Sequence, residues 1–428
     1  MRLLVWSALS ESMRREALSR PVARASPALR ATVERIFAEI ERDGEAGVER
    51  WALLLDKFAP RQVTIDAPAI RGARGALLAE DLFALDAAAA NVTRYHEAIK
   101  PMDERVEIGA GIVCERRWRP IDVCGLYIPG GSAPLFSTLL MLAMPARIAG
   151  VPRIVVATPP NRDGEAAPIM IAAAAACGLD GLWLLGGAQA VAAMTFGAGM
   201  PKSNKLFGPG NSFVAEAKRL AASIPGGPRI DAPAGPSELM VIADEMARPD
   251  YVAADLLSQA EHDAEAQVLL VTTSRDLAAA VQAQLSPRLN ALPRAAIASR
   301  SMEHARCILV DDLTAAAEVA NLYAPEHLSL QTQNPTLLTD RVNHAGAIFV
   351  GPWSAEAFGD YICGPSHVLP TDGAARSWSG VSVASFMKCV GVQTLSEVGA
   401  RALRTNASRL ARLEGLEAHA LAAEIRGA

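Results

Sequence analysis

A doubly wound α/β fold is predicted by three observations. Short apolar runs alternate with segments of helix length through the middle of the chain. The composition is 51% apolar but only 5% aromatic. Ala and Gly are abundant, which suits closely packed helices and sheets better than a β-sandwich. At 428 residues the chain exceeds what one core usually supports, so more than one unit is expected. Lys plus Arg number 41 against 46 Asp plus Glu, a net charge of −5. No basic surplus exists to neutralise a phosphate backbone, so nucleic acid is not an expected partner.

Taken in order, the first 20 residues carry an apolar run at 3–9 that Glu11 soon interrupts, and they read as a short surface helix rather than a signal peptide. Residues 26–57 show helical spacing, with Val33, Phe37 and Ile40, then Val48, Trp51 and Leu54 after Gly44. Residues 77–98 repeat the pattern. Strands are expected at 112–114 and 123–128, the second running into Pro129-Gly130-Gly131. Then come a strand at 153–158, a helix at 168–177, a strand at 182–185 and a helix after Gly186-Gly187. A second unit follows, with strands at 239–243 and 268–272 around a helix over 250–262, and further strands at 308–310, 328–331 and 347–350. The Pro/Gly-rich stretch 231–237 is the expected crossing, and residues from 381 read as a largely helical tail. The expectation is two Rossmann-like domains: residues 26–128 with 236–380, and 129–235, flanked by an N-terminal helical segment (1–25) and a tail (381–428).

The six cysteines form no C-x-x-C pair, which excludes a zinc ribbon or thioredoxin motif, and they read as reduced thiols. The longest apolar stretch, 169–177, is too short to span a bilayer. A cytoplasmic protein is expected.

Seven histidines make their neighbourhoods informative. Gln259 and His262 are three apart at a helix end, so one ligand or metal can meet both, although glutamine is not a usual zinc side chain. Glu326-His327 precedes an apolar strand, where neighbours point to opposite faces, so both serve one site only if the backbone is irregular beside Pro325. A carboxylate and an imidazole can divide two proton transfers, and an ion pair at the strand's start accounts for them equally well. Asp360 and His367 lie in loops after the 347–350 strand, the end at which such folds bind ligands. His419, beside Glu414 and Glu417 in the tail, reads as a surface histidine; His96, His304 and His344 read as structural. Three glycine-rich segments are cofactor candidates: 127–132, 186–189 and 208–211. The last opens a helix whose amides can face an anion, but Phe213 replaces the third glycine of the dinucleotide fingerprint. These features alone do not separate a dehydrogenase from a zinc hydrolase.

The same segments resemble the histidinol dehydrogenase family from about residue 26 to the end. The resemblance is carried by YIPGGSAPLFST (127–138), GGAQAVAA (186–193), KLFGPGNSFVAEAKR (205–219), DAPAGPSELMVIAD (231–244), DLLSQAEH (255–262), APEHL (324–328), GDY (359–361) and HVLPT (367–371). It implies a zinc- and NAD-dependent enzyme that oxidises L-histidinol to L-histidine. Gln259, His262 and Asp360 would then be zinc ligands, with His419 completing the site from the other subunit of a homodimer. Ser237, His327, His367 and Glu414 would join the ligands around the substrate, and Tyr127, Gln189 and Asn211 would lie along NAD. His327 would take the alcohol proton and Glu326 would activate water.

One departure is visible: Ser366 stands where the family commonly has Asn, which puts the positioning of His367 in question. Rival expectations are a relative that oxidises another polar alcohol, such as a sulfonated propanediol, a zinc hydrolase without NAD, and a non-catalytic NAD- or metal-binding protein.

Overall fold

The computed structural model describes residues 1–20, 26–130, 134–232 and 235–426. Two six-stranded sheets organise the chain. The first has the order Arg61–Thr64, Gly181–Leu184, Arg153–Thr158, Val123–Tyr127, Lys205–Phe207, Arg229–Ile230, all parallel except the first strand. The second is wholly parallel, in the order Arg2–Val5, Arg306–Leu309, Gln267–Thr272, Glu238–Ala243, His327–Gln331, Ala347–Val350. Helices cover both faces of each, as the short, continuously apolar strands require.

Pleating decides which side chain serves which face. In Glu238–Ala243, Met240 and Ile242 pack with Tyr323, whereas Leu239, Val241 and Ala243 pack with Val252, Leu256 and Leu257 of the helix Pro249–Ala260. The first sheet is sandwiched likewise. The helices Pro27–Asp43, Glu45–Leu55 and Gly187–Phe196 lie on one face, and Ala79–Ala98, Phe136–Ala149 and Pro168–Ala176 on the other.

Two expectations change, and the largely helical tail is found with a strand added at its start. The chain opens with a strand, not a helix: Arg2–Val5 takes the sheet edge beside Arg306–Leu309, and the helix is confined to Glu11–Ala17. Residues 26–128, grouped in sequence with 236–380, contribute Arg61–Thr64 and Val123–Tyr127 to the other sheet, because those strands pair with Gly181–Leu184 and Arg153–Thr158. The tail begins with the strand Met387–Leu395, antiparallel to Ile112–Pro120, which in turn pairs with Glu104–Gly109 in a third sheet. Only then come the helices Glu397–Leu413 and Glu417–Glu424, joined through Arg412 to Glu417 at 2.8 Å and Glu424 at 2.7 Å. The crossing between the main sheets falls between Ile230 and Glu238; residues 233 and 234 of that stretch lie outside the described residues, as do Gly131 and Ser132 of the first glycine-rich segment. No described helix is long and apolar enough to cross a membrane.

Candidate active site

The strand His327–Gln331 starts directly after Glu326, and the irregular backbone expected beside Pro325 sits one residue earlier. Ala324 ends the helix Leu313–Tyr323 in the left-handed region at φ 55°. For a residue with a Cβ that conformation is strained, and here it turns the chain from the helix into the strand. Glu326 and His327 are both buried, and they converge on the backbone of Glu238 in the neighbouring strand. The Glu238 N–H donates to Glu326 Oε2 at 2.9 Å, and His327 Nδ1 lies 3.0 Å from the Glu238 carbonyl.

Around His327 every near neighbour of Nδ1 is an acceptor. Glu326 Oε2 and Glu356 Oε1 each lie 3.6 Å away, beyond the Glu238 oxygen. Nδ1 therefore carries the proton, and the lone pair is on Nε2, which is buried without a hydrogen bond, 3.8 Å from Asp360 Oδ1. Burial holds His327 below the usual histidine range, partly opposed by Asp360, so the ring is neutral and basic at Nε2. Burial likewise pushes the Glu326 and Glu356 carboxyls well above the usual carboxylate range.

Asp360 stands between two histidines: its Oδ2 is 3.9 Å from His262 Nε2. Asp360 lies on the short helix Glu356–Tyr361, which packs on Pro249–Ala260, the helix of Gln259. His262 follows that helix, its N–H donating to the Gln259 carbonyl at 3.2 Å, so the spacing of three survives the helix end. Gln259 is fully buried, yet neither its Oε1 nor its Nε2 has a partner. An orphaned buried amide costs about 1–3 kcal/mol, and a carbonyl oxygen facing a cation would recover it. Gln259, His262 and Asp360 thus fit a metal, with mixed N/O donors. Among the described residues, His327, Glu356 and Asp360 also bring ligand-type atoms within 4.8 Å of one another, and with His327 Nδ1 engaged with Glu238 the nitrogen left free to ligate there is Nε2.

His367 is fixed at both ring nitrogens: Nδ1 lies 2.8 Å from the Asp360 carbonyl and Nε2 3.2 Å from Thr138 Oγ1. The Ser366 hydroxyl accepts the Val368 N–H at 3.2 Å, so the serine still ties this loop together. Thr138 sits in the first turn of Phe136–Ala149, the helix after the carboxyl end of Val123–Tyr127. The cluster accordingly lies at the amino ends of Glu238–Ala243 and His327–Gln331, facing the other sheet's carboxyl-end loops. Glu326-His327 lies ahead of its strand as expected, whereas the carboxyl-end position expected for Asp360 and His367 is not where the cluster forms. Ser237, half-buried, immediately precedes Glu238.

The cofactor candidates occupy the carboxyl ends of the first sheet. Tyr127 accepts the Gly187 N–H at 3.1 Å through its hydroxyl. Gln189 is buried, with Nε2 donating to Asp56 Oδ2 at 3.1 Å and Oε1 unpartnered. Asp56 also accepts the Gly186 N–H at 2.9 Å. At Gly208-Pro209-Gly210, the amides expected to face an anion are partly spent. Asn211 Oδ1 accepts from Phe213 and Val214 at 3.1 and 3.2 Å, and Asp231 takes the Gly208 N–H at 2.7 Å. Glu414 and His419 are exposed in the tail, and no hydrogen bond or ion pair joins either side chain to the cluster.

Glu238, Glu356 and Asp56 were not legible as site residues. Glu356 lies four before Asp360, a same-face helical spacing, and that was the available signal.

A family model described as histidinol dehydrogenase matches residues 19–427. The chain is 44% identical over 427 residues to a histidinol dehydrogenase of Xylella fastidiosa, covering 100% of this chain and 99% of that protein. It is 43% identical to one of Vibrio parahaemolyticus, at 100% and 98% coverage. The crystal structure of histidinol dehydrogenase from Elizabethkingia anophelis superposes with a TM-score of 0.95 at 38% identity, covering 100% of this chain and 98% of that one. An acetylating aldehyde dehydrogenase from Geobacillus thermoglucosidasius shares the fold alone, with a TM-score of 0.50 at 14% identity over 90% of this chain and 96% of that one.

Proposed function

The chain belongs to the histidinol dehydrogenase family, and on that premise we propose that it oxidises L-histidinol to L-histidine through bound L-histidinaldehyde, using zinc and NAD. The observation that carries the site assignment is that the buried Gln259 amide is unpartnered and the free His327 Nε2 faces Asp360.

Gln259, His262 and Asp360 would hold zinc, with His419 supplied by a second copy of the chain; Tyr127, Gln189 and Asn211 would hold NAD. When bound, zinc orients the imidazole and amine of the substrate and NAD accepts the hydrides. His327 Nε2 takes the alcohol proton, since burial keeps it unprotonated and Nδ1 is already tied to Glu238. Glu326, held by the Glu238 N–H, would activate the water that adds to the aldehyde. Ser237, His367 and Glu414 would contact the substrate. Keeping the aldehyde in a buried site protects it between the two oxidations. A homodimer with shared sites is supported by Leu410, Leu413, Leu421 and Ile425, all exposed on the tail beside Glu414 and His419.

The test is NADH production by purified protein over a panel of alcohols, with zinc and with a chelator. Two NADH per histidinol, lost on chelation, is the expected result. Turnover of a sulfonated diol but not histidinol would overturn the substrate, and hydrolysis without NADH would move the protein to another class.

A further inference from the structure

We infer that Arg20 is a positioning residue for Glu326 and His327, acting through Glu238. The inference rests on reading those two as the proton-transfer pair. Glu238 serves them with its main chain, while its side chain points the other way. It shares the face of Met240 and Ile242, over which Tyr323 lies, whereas His327 shares the face of Ser329 and Gln331, where Gln331 Nε2 donates to Asp255 of the helix Pro249–Ala260 at 3.1 Å.

On that far face the Glu238 carboxylate is clamped. Arg20 Nε and Nη2 reach its two oxygens at 2.5 and 2.9 Å, a bidentate fork, and the Asp372 N–H adds a third bond at 2.9 Å. The same guanidinium donates to the carbonyls of Tyr323 at 2.9 Å and Ala324 at 3.4 Å, and its Cζ stacks over the Tyr323 ring at 3.9 Å. Arg20 therefore ties together the two backbone segments that meet at the site: the start of Glu238–Ala243 and the left-handed corner leading into Glu326-His327. The carbonyl that fixes the His327 tautomer and the amide that holds the Glu326 carboxyl both belong to the clamped residue. The described segment that ends at Arg20 thus contributes the fastener behind the site.

The experiment combines kinetics with 15N NMR of histidine-labelled full-length protein, the His327 signals being assigned by loss in His327→Asn. In the unchanged protein the ring should show a single Nδ1–H tautomer. Arg20→Met is expected to lower kcat about 10- to 100-fold, the scale of a small misplacement of catalytic groups, with KM for histidinol changed less than about threefold. Its His327 signals should shift toward a tautomer mixture. Glu238→Gln should do the same. If Arg20→Met does not fold, Arg20→Lys is read identically, because it keeps the charge and loses the fork. An unchanged kcat, or a fall in kcat with the ring pattern intact, overturns the inference. A His327→Ala protein that still oxidises the alcohol would instead overturn the reading of His327, leaving the tautomer result to stand or fall separately.

Discussion

His262 Nε2 stands 3.9 Å from Asp360 Oδ2, too far for a hydrogen bond and close to the separation of two atoms bound to one cation. With the orphaned Gln259 amide this leads to a paired expectation. Metal-free Gln259→Leu should melt above the metal-free parent by about 2–4 °C, because a buried unsatisfied amide is removed. Added zinc should raise the melting temperature of the parent and not of the variant. Thermal scans with and without zinc check both halves.

The two proton-transfer groups should separate kinetically. His327→Ala is expected to slow histidinol oxidation by about 100- to 10,000-fold while affecting histidinaldehyde oxidation less. Glu326→Gln should show the opposite bias. Single-turnover NADH formation from each substrate measures the split, and equal losses in both variants would count against it.

A site shared between copies predicts complementation. His419→Ala and Gln259→Ala proteins should each be nearly inactive alone. After subunit exchange, verified heterodimers should recover activity at one of their two sites. No recovery would place all zinc ligands in one chain.

His96 gives a pH dependence outside the site. It is fully buried in the helix Ala79–Ala98, both ring nitrogens are unpartnered, and burial lowers its pKa from 6.5 to about 4. Between those values the unfolded chain binds a proton that the folded chain refuses. The stability due to neutral His96 is therefore complete above pH 6.5 and falls as the pH drops toward 4. His96→Phe removes that loss, so its melting temperature should gain on the parent steadily from pH 7 to pH 4. A constant difference across the series would refute this.

Gly208 has φ 115°, and a Cβ there would run into the Tyr127 carbonyl oxygen. Gly226 has φ 71° with nothing near. Gly226→Ala should cost only the backbone strain, about 1–3 kcal/mol, and Gly208→Ala should cost distinctly more. Urea midpoints of the two variants test the ordering.

The buried parallel strands were legible because they are short apolar runs between helix-length crossovers. Arg2–Val5 was not: four residues within an apolar run cut short by Glu11 look the same in a strand or a helix, and only the partner Arg306–Leu309 decides. Met387–Leu395 was missed for a related reason, since seven of its nine residues are exposed and burial patterning is weak. At the site, Gln259, His262, Glu326, His327 and Asp360 stood out as candidates by spacing and chemistry, and their expected roles came from the family resemblance. Glu238 did not, because its contribution there is a backbone amide and carbonyl, which every residue carries.

The edge strand Arg2–Val5 also bears on biosynthesis. It is made before every other described strand, yet its hydrogen-bonded neighbour among the described residues, Arg306–Leu309, emerges last but two among the strands of its sheet. Every strand of the other six-stranded sheet, from Arg61–Thr64 to Arg229–Ile230, is synthesised in between. An early-made strand is thus committed to a sheet that closes late, and its edge waits unpaired until Arg306–Leu309 is made.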